Sequence, residues 1–267
     1  HRHHILIGPD VWMDTESNPD FIEDPLLYNS WKVQAATEGL RVRIGTWNVP
    51  GNPIAVLVDY KQFITQQNEI LTEFWKEFGV DSISGNWDYK ESALFGYAAG
   101  KVIESFYKFN LDASTKVVAQ FHEWQTGAGL LYLKHSALPI ATVFTTHATV
   151  LGRCLAGNNL PLYNSMGLYN DDEKAHQFNV TARHSLEKVS AQNADIFTTV
   201  SEITAGECFQ FLHRKVDVVT PNGFENSFTP STDEEYDQKR TLARKKLIEV
   251  ATAMSGEQVE DNSVLVG

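Results

Sequence analysis

The chain is predicted to be an α/β protein built on a parallel sheet flanked by helices. Two observations carry that prediction. From Leu111 onward, apolar strand-like runs alternate with helix-spaced segments, the pattern of right-handed βαβ units. Two of those runs, Val117–Phe121 and Ile140–Thr145, lead into histidines, His122 and His147. Polar groups at the carboxyl ends of neighbouring parallel strands mark the edge where ligands of open α/β sheets gather.

Each element has its own signal. Ile5–Ile7 is a short strand with Gly8-Pro9-Asp10 as its turn; His1, His3 and His4 before it have the look of a metal site or a tag remnant, and the plainer reading is a ragged exposed start of the strand. Leu40–Trp47 alternates apolar and polar residues, as a half-buried strand does. Ile54–Val58 is continuously apolar and β-branched, which suits a strand covered on both faces. Lys61–Phe78 has helical spacing and stops at Gly79, a good C-cap. Ser92–Phe109 and Trp124–His135 are further helices, and Lys116–Phe121 and Pro139–Thr145 are strands. Asp172–Gln192 reads as one long helix. Ala194–Val200 is a strand followed by the N-cap Ser201 and the helix Ile203–His213. Val216–Thr220 is a strand leading into Pro221-Asn222-Gly223. Asp233–Met254 is a long, highly charged helix, and Ser263–Val266 reads as a last strand. The less regular first third is expected to contribute antiparallel strands.

Composition bounds the function. Of 267 residues, 42% are hydrophobic, enough for a sizeable core. The net charge of −12 argues against a general nucleic-acid or anionic-membrane binder, since both need clustered Lys and Arg. A phosphate site needs only one or two local cations and stays open. Cys154 and Cys208 have no metal-ligand spacing and are expected to be buried free thiols of a reducing cytoplasm. No apolar run reaches membrane-spanning length. A dinucleotide fingerprint, a Walker loop, a G-x-S-x-G elbow and an H-E-x-x-H zinc motif are all absent, so no metal site or cofactor is expected.

What remains is a set of polar groups at strand ends: His122 and Glu123; Thr145, Thr146 and His147; Ser201 and Glu202; Asn222 and Gly223. A lone strand-end histidine is usually structural. Four successive strand ends with hydroxyl-recognising groups favour a sugar or phosphate pocket. His147 opens a helix whose N–H groups are placed to face an anion, with Arg153 nearly two turns further on. The plain alternative for Arg153 is a surface ion pair.

The segments HEWQTGAGL, ATVFTTHATVLGR, ADIFTTVSEIT and TPNG, in this order and spacing, resemble the N-terminal half of the glycogen synthase family. The match is nearest to the eukaryotic type, and FTTHAT followed by LGR is its most specific part. The resemblance implies a Rossmann-like domain, the N-terminal half of a GT-B glycosyltransferase. It implies retaining transfer of glucose from a nucleotide sugar, UDP-glucose before ADP-glucose, to the non-reducing end of an α-1,4-glucan without a metal. By motif position, His147 would contact the donor glucose and Arg153 the donor phosphates. His122, Glu123, Thr146, Asn222 and Gly223 would line the substrate cleft. The resemblance further implies residues 1–232 as the glycosyltransferase domain, and 233–267 as an interdomain helix and the first strand of a missing C-terminal domain. The chain alone is then expected to be inactive. A homo-oligomer is compatible with it.

One departure stands out. The family carries a Tyr-His-Arg-type run where this chain has Phe178-Asn179-Val180-Thr181-Ala182-Arg183-His184, so a role for Arg183 and His184 stays open. A non-catalytic carbohydrate-binding or scaffolding domain, another GT-B transferase and a glucan phosphorylase are the alternative readings.

Overall fold

The computed structural model describes residues 4–12, 18, 20–223, 229–260 and 262–264. Two compact units divide the chain, His1–Pro221 and Asn222–Gly267.

Among its described residues, the first unit contains two four-stranded sheets. One is mixed, with β1 (Ile5–Pro9), β2 (Phe21–Glu23), β3 (Arg41–Trp47) and β4 (Ile54–Asp59) in the order β1-β4-β3-β2. β1 runs parallel to β4, whereas β3 pairs antiparallel with both β4 and β2, which supplies the antiparallel strands expected of the first third. Gly8 and Pro9 are not a turn; they pair with Leu57 and Val58 as the end of β1. Pro9 is tolerated there because β1 borders its sheet, where a missing N–H interrupts no ladder. β4 is buried from Ala55 onward, as its unbroken apolar run requires.

Helix α1 (Asn29–Thr37) has no periodic apolar stripe and escaped sequence reading. It is held by Trp31, fully buried, whose indole N–H donates to Ser105 Oγ at 3.1 Å. The segment from Lys61 begins as a 3-10 helix and becomes α2 (Gln67–Phe78), ending at left-handed Gly79. α3 (Trp87–Asn110) starts before Ser92 because Asn86 caps it, accepting from the Tyr89 N–H at 3.1 Å.

The second sheet is all parallel: β5 (Val117–His122), α4 (Glu123–Ser136), β6 (Ile140–Thr146), α5 (Val150–Gly157), α6 (Leu162–Ser165), α7 (Asp171–Gln177), α8 (Thr181–Asn193), β7 (Ile196–Thr199), α9 (Glu202–Leu212) and β8 (Val218–Val219). Strand order is β5-β6-β7-β8, so the chain winds steadily in one direction. Register aligns Phe121 with Phe144, and Phe144 with Phe197, forming a buried ladder under the carboxyl edge.

The long helix expected over Asp172–Gln192 is broken into α7 and α8. Asn179 takes a left-handed φ of 57° at the break. The bend lets Phe178 and Val180 pack on a cluster of Leu151, Leu155 and Phe211. Buried Asp171 ties the pieces together, accepting from Lys188 Nζ at 2.6 Å and His184 Nε2 at 3.2 Å, with His213 Nε2 at 3.2 Å. α3 and α4 meet at backbone distance. A Cβ on Gly129 would lie 2.6 Å from the Gly96 carbonyl oxygen, and one on Gly96 would lie 3.0 Å from the Gly129 nitrogen.

The second unit contains α10 (Asp233–Ser255), capped by the Thr232 side chain and closed by left-handed Gly256. Ser263 and Val264 are not in strand geometry; the rest of the expected last strand lies outside the described residues, as do His1 and His3.

Candidate functional site

The carboxyl edge of the parallel sheet opens into a cavity of about 610 Å³. Asp88 and Ser92 come from α3, and Glu123, Trp124 and Gln125 from α4. His147, Ala148, Val150 and Arg153 come from the β6–α5 segment, and Arg183 comes from α8. The volume is that of a small-molecule site.

β5 and β6 align His122 with Thr145, which brings His147, two residues on, beside His122. His122 Nδ1 and His147 Nε2 are 3.1 Å apart, so one nitrogen carries the shared hydrogen and the other accepts it. Burial, and then the neighbouring His147, lower the His122 pKa. A neutral His122 ring therefore presents hydrogen-bonding rather than ionic character.

Glu123 joins β5 to α4 with a left-handed φ of 62°. A glutamate there is strained by about 1–3 kcal/mol. Its carboxylate accepts the His147 N–H at 2.7 Å and faces the Arg153 guanidinium at 3.9 Å. The Arg153 side chain is 63% exposed, so that contact leaves it able to meet a ligand.

The helix α5 N-terminus is not the open anion cradle that position alone suggested. Val150 N–H donates to Glu187 Oε2 at 3.0 Å, and Gly152 N–H donates to Thr149 Oγ1 at 2.9 Å. With His147 N–H on Glu123, three N–H groups of this segment are taken by the protein's own oxygens. The cationic groups that line the cavity are the Arg153 and Arg183 side chains.

Arg183, which the sequence left open, lines the cavity. It forms an ion pair with Asp88 at 2.5 Å and lies 5.3 Å over the Trp124 ring. Trp124 is itself stacked on Tyr89 at 6.1 Å. Sequence reading missed Asp88 and Trp124 as its partners because no local signal links residues so far apart in the chain.

Thr146 is fully buried, and its carbonyl accepts from Thr199 Oγ1 at 2.6 Å; it supports the sheet rather than lining the cavity. Asn222 and Gly223 are exposed and open the second unit. Ser201 acts as the expected N-cap, accepting the Thr204 N–H at 3.1 Å. Both cysteines are free thiols; Cys208 is buried, whereas Cys154 is only half-buried. Among the described residues one group, Asp171, Asp172 and His184, has ligand atoms close enough for a cation. Lys188 Nζ already sits 2.6 Å from Asp171 Oδ2, so the protein supplies its own charge there. No described helix is long and apolar enough to cross a membrane.

Fold and cavity together define an α/β domain with a cavity of small-molecule size at the carboxyl edge of a parallel sheet. The family model for glycogen synthase matches residues 3–252. The liver glycogen [starch] synthase of Rattus norvegicus is 40% identical over 187 residues, 69% of this chain and 26% of the relative. The glycogen [starch] synthase of Dictyostelium discoideum is 37% identical over 207 residues, 78% of this chain and 23% of the relative. That of Caenorhabditis elegans is 35% identical over 205 residues, 75% and 30%. The chain belongs to the glycogen synthase family, and it spans about a quarter of the length of these curated relatives.

Proposed function

We propose that this chain forms the N-terminal wall of a retaining glucosyltransferase active site. The complete protein would transfer glucose from a nucleotide sugar, UDP-glucose in preference to ADP-glucose, to the non-reducing end of an α-1,4-glucan in the cytoplasm. The observation that carries the reading is the convergence of His147, Arg153 and Arg183 on one cavity at the sheet edge, in a member of this family. His147 holds the donor glucose, and Arg153 meets the donor diphosphate. His122 fixes the His147 ring, and Glu123 holds the segment that carries both. Residues 1–232 act as the transferase domain, with 233–267 leading into a C-terminal domain that completes the cleft; Asn222 and Gly223 face that cleft.

The chemistry follows from charge. Breaking the glycosidic bond leaves negative charge on the departing diphosphate. A guanidinium that meets this charge stabilises the transition state more than the ground state. With the Val150 and Gly152 amides occupied, that work falls to Arg153 and Arg183. The test is incorporation of glucose into glycogen by the complete protein, supplied with UDP-glucose or ADP-glucose. Incorporation from UDP-glucose is expected; none from either donor would sink the proposal.

A further inference from the structure

Two buried acids lie behind the cavity, and neither touches it. Glu187 of α8 is 0% exposed and Glu207 of α9 is 4% exposed. Both reach the first turn of α5. Glu187 Oε2 accepts the Val150 N–H at 3.0 Å, and Glu207 Oε2 accepts the Thr149 hydroxyl at 2.8 Å. The same hydroxyl accepts the Gly152 N–H at 2.9 Å, which already provides an ordinary threonine N-cap. Capping alone therefore does not explain two further carboxyl groups in the interior, where each is costly to desolvate.

We infer that Glu187 and Glu207 are positioning residues that set the His147–Arg153 segment for donor binding. The inference rests on the transfer reading above. Three neighbouring helices each contribute one carboxyl group to this segment: Glu123 holds the His147 N–H, Glu207 the Thr149 side chain and Glu187 the Val150 N–H. Rotation or translation of α5 breaks at least one of these bonds. Filling the His147, Val150 and Gly152 N–H groups also shifts how the donor is met, toward the Arg153 and Arg183 side chains of the cavity. Burial first, with Glu123 as a like-charged neighbour of Glu187, raises the pKa of both acids and favours their neutral forms. Neutral acids hold the turn without placing negative charge beneath an anionic donor.

The test uses the complete protein and four variants, Glu187→Gln, Glu187→Ala, Thr149→Ser and Thr149→Val. Glucose transfer from UDP-glucose gives kcat and KM, calorimetry gives the UDP Kd, and thermal unfolding reports the fold. Glu187→Ala is expected to lower kcat about 100-fold, the scale of a misplacement of about 1 Å. Glu187→Gln, which keeps the acceptor oxygen, is expected to stay within about threefold of wild type. Thr149→Val is expected to lose about tenfold while Thr149→Ser keeps its rate, so the threonine pair decides the matter if Glu187→Ala does not fold. Folded Glu187→Ala or Thr149→Val proteins with wild-type kcat, KM and UDP affinity would overturn the inference. So would a Glu187→Gln protein as damaged as Glu187→Ala. A wild type that binds UDP but transfers no glucose would remove the transfer reading alone. The UDP Kd then judges positioning: tenfold weakening in Glu187→Ala but not Glu187→Gln, on the order of a misset contact, upholds it. Equal affinities, or a wild type that binds no UDP, overturn it.

Discussion

Gly152→Ala probes the most crowded point behind the cavity. The added Cβ would lie 2.8 Å from Glu207 Cδ and 2.8 Å from Thr149 Oγ1, and closer still to Glu207 Oε2. Two relaxations are open. Glu207 can swing away and lose the Thr149 hydrogen bond, at about 1–3 kcal/mol for buried polar groups left unpaired. Alternatively α5 can shift, at about 1–3 kcal/mol for overpacking. Alanine returns up to about 1 kcal/mol as the better helix former. The net loss is therefore about 1–2 kcal/mol, a fall in Tm of roughly 3–6 °C for a chain of this size. Gly157, at the other end of the same helix, has nothing among the described residues within 4 Å of its added Cβ and serves as the control. Gly157→Ala is expected to be neutral or stabilising by up to about 1 kcal/mol. Thermal unfolding followed by circular dichroism reads both variants. A Gly152→Ala midpoint within about 1 °C of Gly157→Ala would show that Glu207 yields at no cost and refute the reasoning.

Further outcomes are open to measurement. His147→Ala and Arg153→Ala in the complete protein should each lower kcat by about 100-fold or more while leaving the Tm within a few degrees; near-wild-type turnover in both would remove them from the site. Arg183→Ala should weaken UDP-glucose binding, whereas Asp88→Asn, which releases the guanidinium from its ion pair, should preserve it; equal losses would mean that the pair serves packing only. Asp171 gives a pH signature. Burial opposes its ionisation, but hydrogen bonds from Lys188 and His184 outweigh that and bring its pKa from 3.8 to about 2. The lowering corresponds to roughly 2 kcal/mol, fully present above about pH 4 and lost as the pH falls through about 2. Asp171→Asn should therefore unfold more easily at pH 7 and match wild type below about pH 2; denaturant titrations that give equal stability at pH 7 would contradict it.

Much of the fold was legible because its elements carry local signals. The alternation after Leu111, the unbroken run at Ile54 and the caps at Ser201 and Gly79 each sit within a few residues of what they specify. What escaped depends on distant partners. α1 has little amphipathic pattern and is anchored by one tryptophan on Ser105 of α3. The break at Asn179 follows from packing against Leu151 and Phe211, which no window around residue 179 contains. In the site, the positions of His122 and His147 were readable at strand ends, but their contact follows from the β5–β6 register. Helix placement suggested amides open to an anion. The carboxyl groups that hold this segment come from three separate helices: Glu123 and Glu187 take the His147 and Val150 N–H groups, and Glu207, 58 residues away, takes the Thr149 hydroxyl.

The close meeting of Gly96 and Gly129 works as a fixed gauge. Asp88 and Ser92 hang from α3, and Glu123, Trp124 and Gln125 from α4, so one side of the cavity is carried by two helices in backbone contact. Any side chain at position 129 would run into the Gly96 carbonyl, where only hydrogen fits. The span between these two sets of side chains is thus settled when the chain folds, before any ligand arrives. A relative that needed a wider or narrower span could not reach it by exchanging one cavity residue. It would have to rebuild the glycine seam some two helical turns away.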